Sequence, residues 1–218
     1  MPFLDRWDAG RRLAERLMSY KDKSPVILGL PRGGVVVAAE VAAALQAPLD
    51  LVLVRKIGVP VQPELAMGAV VDGGSPVIVR NEEVILMAGI SEESFQEVCR
   101  RELAEIERRR QRYLQGRPPI PLAGRTVIVV DDGIATGSTT RAALRAVRKR
   151  GPGRLVLAVP VAPTEAVEAM RKEADEFICL EDYVAFGGVG QFYRDFRQTS
   201  DEDVIALLAG APTGAAVS

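Results

Sequence analysis

The residues best equipped for chemistry lie between positions 127 and 139. Val127-Ile128-Val129-Val130 runs into Asp131-Asp132-Gly133-Ile134-Ala135-Thr136-Gly137-Ser138-Thr139. Four β-branched residues read as a buried strand. Two adjacent carboxylates therefore arrive at its C-terminal end, the edge of an open α/β sheet where ligands bind. Gly133 and Gly137 are small enough for backbone N–H groups to approach an anion closely. Thr136, Ser138 and Thr139 add hydroxyl donors, and a helix starting there turns its N-terminal amides and dipole towards a phosphate. Together these groups suit a phosphorylated sugar with vicinal hydroxyls.

Other readings of the same stretch fare worse. A Walker A loop needs lysine before the Ser/Thr, and Gly137 stands there. A GxGxxG dinucleotide fingerprint is absent. A plain turn with Asp131 and Asp132 as turn-formers explains the Asp-Gly step, but not the full order of apolar run, two acids, glycine and hydroxyls. The chain has no histidine, which excludes a Ser-His-Asp triad, a histidine proton shuttle and an HExxH zinc site. Cys99 and Cys179 form no CxxC or zinc spacing and are expected to be buried free thiols.

The elements that must position these residues follow from periodicity. Leu4, Trp7, Leu13, Leu17 and Met18 recur at helical spacing and predict a helix over residues 4–20. Val26 to Leu30 predicts a buried strand, Val35 to Leu45 a helix, and Leu51 to Val54 a second strand, making a βαβ unit. From Arg55 to Gly74 the glycines and prolines predict an irregular exposed loop. It runs into a hairpin, Met67–Val71 and Pro76–Val79, around Asp72-Gly73-Gly74. Ser91 to Leu114 is the longest helical signal, capped by Ser91, with a polar face that includes Arg108-Arg109-Arg110. After a proline-rich connector come strand 126–130, helix 139–150, strand 155–161, helix 164–173 and strand 177–180. The expected fold class is α/β: a mostly parallel sheet flanked by helices.

The stretch 127–139 resembles the signature of type I phosphoribosyltransferases, which bind phosphoribosyl diphosphate (PRPP). By that likeness Asp131 and Asp132 hold the ribose 2- and 3-hydroxyls, and Gly133 with Ala135 to Thr139 surrounds the 5-phosphate. Leu30-Pro31-Arg32-Gly33-Gly34 looks like the family's diphosphate loop, often built on an unusual peptide bond, with Arg32 supplying a guanidinium. Arg55-Lys56 resembles the basic pair before the family's flexible loop, which makes residues 58–80 a lid and hairpin and Lys56 a catalytic cation. The segment 181–200 looks like the hood that receives the acceptor, with Tyr183, Phe186, Phe192 and Tyr193 as its aromatic platform. Ala135 stands where members acting on 6-oxopurines carry an acid, which argues against a hypoxanthine–guanine substrate. The helix 91–115 is an addition to the minimal core.

The resemblance implies transfer of 5-phosphoribosyl from PRPP to a nitrogenous acceptor with release of diphosphate. Mg2+ is the implied cofactor, held mainly through the substrate, with Asp131 or Asp132 as the protein contact. The alternative is a regulatory PRPP- or nucleotide-binding protein on the same fold, for which a basic face at Arg108–Arg110, Arg141, Arg145, Arg148, Lys149 and Arg150 is the place to look. A diphosphokinase that makes PRPP is disfavoured, because no ATP site is visible. The 218 residues, 48% hydrophobic and 26% charged, fit one domain over 1–218 with a tail frayed from 210. A formal charge of -1 argues against a general nucleic-acid partner. With no signal peptide and no run of about 18 apolar residues, the expectation is a cytoplasmic domain with no membrane partner, and a homodimer is allowed.

Overall fold

The computed structural model describes residues 2–72 and 76–211. In chain order the first half comprises α1 (Arg6–Leu17), β1 (Val26–Gly29), α2 (Gly33–Leu45), β2 (Leu49–Leu51), β3 (Val54–Val59), β4 (Gln62–Val71), β5 (Val77–Arg80), α3 (Glu82–Met87) and α4 (Glu92–Leu114). The second half adds β6 (Thr126–Val130), α5 (Ser138–Lys149), β7 (Arg154–Pro163), α6 (Thr164–Met170), β8 (Glu176–Tyr183) and α7 (Asp201–Gly210).

Five strands form a parallel sheet in the order β2-β1-β6-β7-β8. Its central strands β1, β6 and β7 are apolar on both faces because helices cover both. Ile27, Ile128 and Val130 pack with α1, α2 and α7, while Val26, Leu28, Val127 and Val129 pack with α5 and α6. The alternation follows from the two-residue period of a strand. No helix among the described residues is long and apolar enough to cross a membrane.

A second, antiparallel sheet, β3-β4-β5, contains the expected hairpin as its β4–β5 pair, and β3 with the first half of β4 fills the stretch expected to be irregular. Its glycines and prolines punctuate the strands instead of abolishing them. Pro60 and Val61 make the turn between β3 and β4. A Cβ on Gly58 would stand 2.4 Å from the Pro63 carbonyl, and the register shifts there as in a β-bulge. Pro63 is tolerated because β5 pairs with β4 only from Gly68 to Val71, leaving the start of β4 with a single neighbour. The expected Gly73-Gly74 turn lies outside the described residues, as does the tail beyond Ala211.

Other boundaries moved for local reasons. The second strand of the parallel sheet is Leu49–Leu51, not 51–54. Asp50 hid it: its buried carboxylate accepts from the Leu51 and Ile120 amides, so an acid sits inside an apolar strand. Helices α3 and α7 were not anticipated, although each begins at a side-chain cap, Asn81 and Ser200. Both cysteines are free, Cys99 buried and Cys179 partly so.

Candidate functional site

The strand order reverses between β1 and β6. From β1 the chain returns through α2 to β2 on one side, and from β6 through α5 to β7 on the other. The loops at the C-terminal ends of β1 and β6 therefore diverge and leave a crevice, where an open α/β sheet takes its ligands. Those loops are residues 30–33 and 131–137, the two stretches carrying the sequence motifs. The Leu30 amide bonds the Val130 carbonyl at 3.0 Å, which joins them at their roots. The peptide bond between Pro31 and Arg32 is cis.

The two loops are packed too tightly for any side chain between them. A Cβ on Gly33 would lie 1.9 Å from Asp132 Oδ2, and one on Gly34 2.8 Å from Asp131 Cα. In the acid loop, the Ile134 amide is held by the Val161 carbonyl at 3.0 Å. Gly137 adopts the left-handed conformation, φ 73°, as the N-cap of α5. Ala135, Thr136 and Ser138 are exposed at the mouth, and the Thr136 and Ser138 hydroxyls are 3.2 Å apart. The first amides of α5 have no partner one turn back, so this rim can receive an anion.

The acids are sunk deeper than the hydroxyls. Burial and the charge of its neighbour push the Asp131 carboxyl well above the ordinary aspartate range, and burial raises that of Asp132. The Asp132 amide donates to Asp131 Oδ1 at 2.9 Å. Arg6, from the first turn of α1, donates through Nε to Asp132 Oδ2 at 2.7 Å and pulls that carboxyl partway back down. Neither sequence motif nor spacing pointed to Arg6; only the fold brings positions 6 and 132 together.

The two expected cations sit differently. Arg32 leans away from the acid pair, with Nη1 3.7 Å from Asp201 Oδ1 at the start of α7. Asp201 is held in turn by the Tyr113 hydroxyl at 2.6 Å and by Arg112 at 3.1 Å, so the added helix α4 reaches Arg32 and its loop through this carboxylate. The same bond and the burial of Tyr113 push its phenol up to about 12. Lys56 is exposed on β3 and shares a cavity of about 400 Å³ with Ser138 and Thr139. Its neighbour Arg55 is committed elsewhere, to the buried Glu102 of α4 at 2.7 Å.

The C-terminal segment closes over the site. Tyr183 and Phe186 both stack on Phe192, with ring centres 4.5 Å and 4.8 Å away. Tyr193 is placed otherwise: it is buried, and its hydroxyl donates to the Asp132 carbonyl at 2.6 Å. Phe3 crosses this segment with backbone bonds to Phe192 and Arg194, so the segment expected to be the hood is tied to the start of the chain. The residues proposed for phosphate and diol thus converge with the backbone of the 31–34 loop on one crevice, the Arg32 side chain turns out of it towards Asp201, Lys56 borders it, and Tyr193 serves as a strut.

Comparison with known proteins agrees with this geometry. Two Mycobacterium tuberculosis proteins, from different strains and each named as a candidate phosphoribosyl transferase, are 50% identical over 206 residues. The match covers 94% of this chain and 46% of theirs, so the chain spans about half the length of these curated relatives. The crystal structure of TT1426 from Thermus thermophilus aligns with a TM-score of 0.82 at 45% identity, covering 95% of this chain and 98% of that one. The AQ2163 protein from Aquifex aeolicus, 12% identical with a TM-score of 0.50 over 84% of this chain and 78% of that one, shares the fold alone. The phosphoribosyl transferase domain model matches residues 5–197. With the motif loops meeting at the switch point of the sheet and a match over most of its length, the chain belongs to the phosphoribosyl transferase domain family.

Proposed function

We propose that this chain transfers the 5-phosphoribosyl group of PRPP to a nitrogen of a small acceptor and releases diphosphate. The observation that carries this reading is the contact of the two loops across the switch point, with Gly33 against Asp132 and Gly34 against Asp131. A single ligand spanning 5-phosphate, ribose diol and diphosphate fits that continuity.

In this reading the α5 rim, Ala135 to Thr139, takes the 5-phosphate, and Asp131 and Asp132 accept the ribose hydroxyls. The amides of the 31–34 loop, with Arg32 and Lys56 turned inward, take the diphosphate. The bond from C1 to the diphosphate oxygen breaks with its electron pair leaving on oxygen. The acceptor nitrogen then bonds C1 and its proton passes to the departing diphosphate or to water. Positioning and stabilisation of the leaving charge supply the rate, without a nucleophilic side chain. The donor set fits a metal held mostly by substrate and water. Among the described residues no cluster of three or more acidic, histidine or cysteine side chains is arranged around a metal. Asp131 and Asp132 each have one oxygen engaged within the protein. Either carboxylate would contact Mg2+, which when bound would neutralise charge on the diphosphate.

The regulatory alternative gains nothing from the structure. Arg108 and Arg109 pair with Glu105, Arg145 with Glu173 and Arg148 with Asp175, so much of the supposed basic face is neutralised within the chain. The test is diphosphate release from magnesium-loaded PRPP over a panel of bases and amines. Release that falls about a hundredfold in Asp132→Asn is expected. Absence of release with every acceptor, together with no calorimetric heat for PRPP on folded protein, would overturn the proposal.

A further inference from the structure

We infer that Arg6 is a positioning residue: its guanidinium holds the Asp132 carboxylate in the orientation in which it accepts a hydroxyl of the ribose ring. The inference deepens the proposed function and rests on it. Arg6 and Asp132 meet at 2.7 Å with side chains only 11% and 15% exposed, so this is a sheltered ion pair and not a surface contact.

The guanidinium is fixed from several directions. Nε donates to Asp132 Oδ2, Nη1 donates to the Arg197 carbonyl at 2.8 Å, and the Phe196 ring lies 3.9 Å from the guanidinium carbon. On the other side Tyr193 holds the Asp132 carbonyl, so both the backbone and the carboxylate of Asp132 are tied to the hood. A planar cation with two directed bonds and a stacked face has little freedom to leave.

This contact is one-sided. Among the described residues Arg6 is the one cation paired with either acid, and it pairs with Asp132 and not with Asp131. The ion pair therefore fixes the orientation of the Asp132 carboxylate, while Asp131 is held through its bond from the Asp132 amide.

The test is calorimetric affinity for magnesium-loaded PRPP at neutral pH, in wild type, Arg6→Gln and Arg6→Lys, with magnesium diphosphate as a second ligand. Arg6→Gln is expected to weaken PRPP binding about tenfold and to leave diphosphate affinity unchanged. Arg6→Lys keeps the charge without the second bond and should recover only part of the PRPP affinity. If Arg6→Gln does not fold, Arg6→Lys carries the test through the same split between PRPP and diphosphate. Variants that bind PRPP with wild-type affinity, or that lose PRPP and diphosphate affinity equally, overturn the role of Arg6 and leave the proposed function standing. Wild type that binds no PRPP overturns the proposed function and this inference with it.

Discussion

Gly33→Ala is the sharpest probe of how the two loops are joined. The added carbon would sit 1.9 Å from Asp132 Oδ2 and 2.6 Å from Arg6 Nε. Ordinary contact needs roughly 3.5 Å, so the carboxylate must retreat by about 1.5 Å. The 2.7 Å bond to Arg6 does not survive that displacement. A hydrogen bond between charged groups contributes about 1.5–3 kcal/mol, so kcat/KM is expected to fall by about 10- to 100-fold. Part of the same loss falls on the free protein, because Arg6 keeps its shelter and loses its partner, and Tm should drop by about 5 °C. Diphosphate release and differential scanning calorimetry read the two effects. If Gly33→Ala acts through Asp132 and Arg6, adding Arg6→Gln costs less than it does in wild type, by more than about 0.5 kcal/mol in a double-mutant cycle. A folded Gly33→Ala protein that keeps both PRPP affinity and Tm would refute the steric reasoning.

Asp131→Asn should stabilise the free protein at neutral pH by about 1 kcal/mol while abolishing turnover, since function holds an ill-solvated carboxylate in place. The sign follows from the raised carboxyl: the folded chain binds that proton more tightly than the unfolded chain. Stability is thus lost as pH rises from the ordinary aspartate range through the raised value, and the gain in Tm from Asp131→Asn should vanish in acid. Tyr193→Phe removes the bond to the Asp132 carbonyl and is expected to cost about 1 kcal/mol in a urea titration. Lys56→Ala, at an exposed position, should leave Tm within about 1 °C of wild type while slowing diphosphate release; equal losses of both would count against its place beside the site. Gly137→Ala forces a side chain into a left-handed position with its Cβ 3.0 Å from Met170 Cε, and chemical denaturation should show a loss of about 1 kcal/mol or more.

What could be read along the chain was whatever depends on neighbours in sequence. The strand 126–130, its two acids, the glycine-hydroxyl loop and the helix after it form one continuous unit, and the loop 31–34 is another. Periodicity also revealed α4, because a 23-residue amphipathic stripe has few alternative structures. Glycines and prolines misled between residues 55 and 66, since the same residues that break a strand also make a hairpin turn and a bulge. Which of these they do depends on the partner strand. Tyr193 illustrates the same limit: an aromatic that could stack on a ligand is occupied by a backbone carbonyl 61 positions away.

The charge state of the site belongs wholly to the tertiary structure. Arg6 lies 126 positions from Asp132, and Asp201 reaches Arg32 only because α7 folds back beside α2 and α4. A motif specifies which groups are present and how the local backbone presents them. Burial and the long-range ion pair set how each carboxyl departs from the ordinary aspartate range, because desolvation and Coulomb attraction depend on distance through space and carry no signature along the chain.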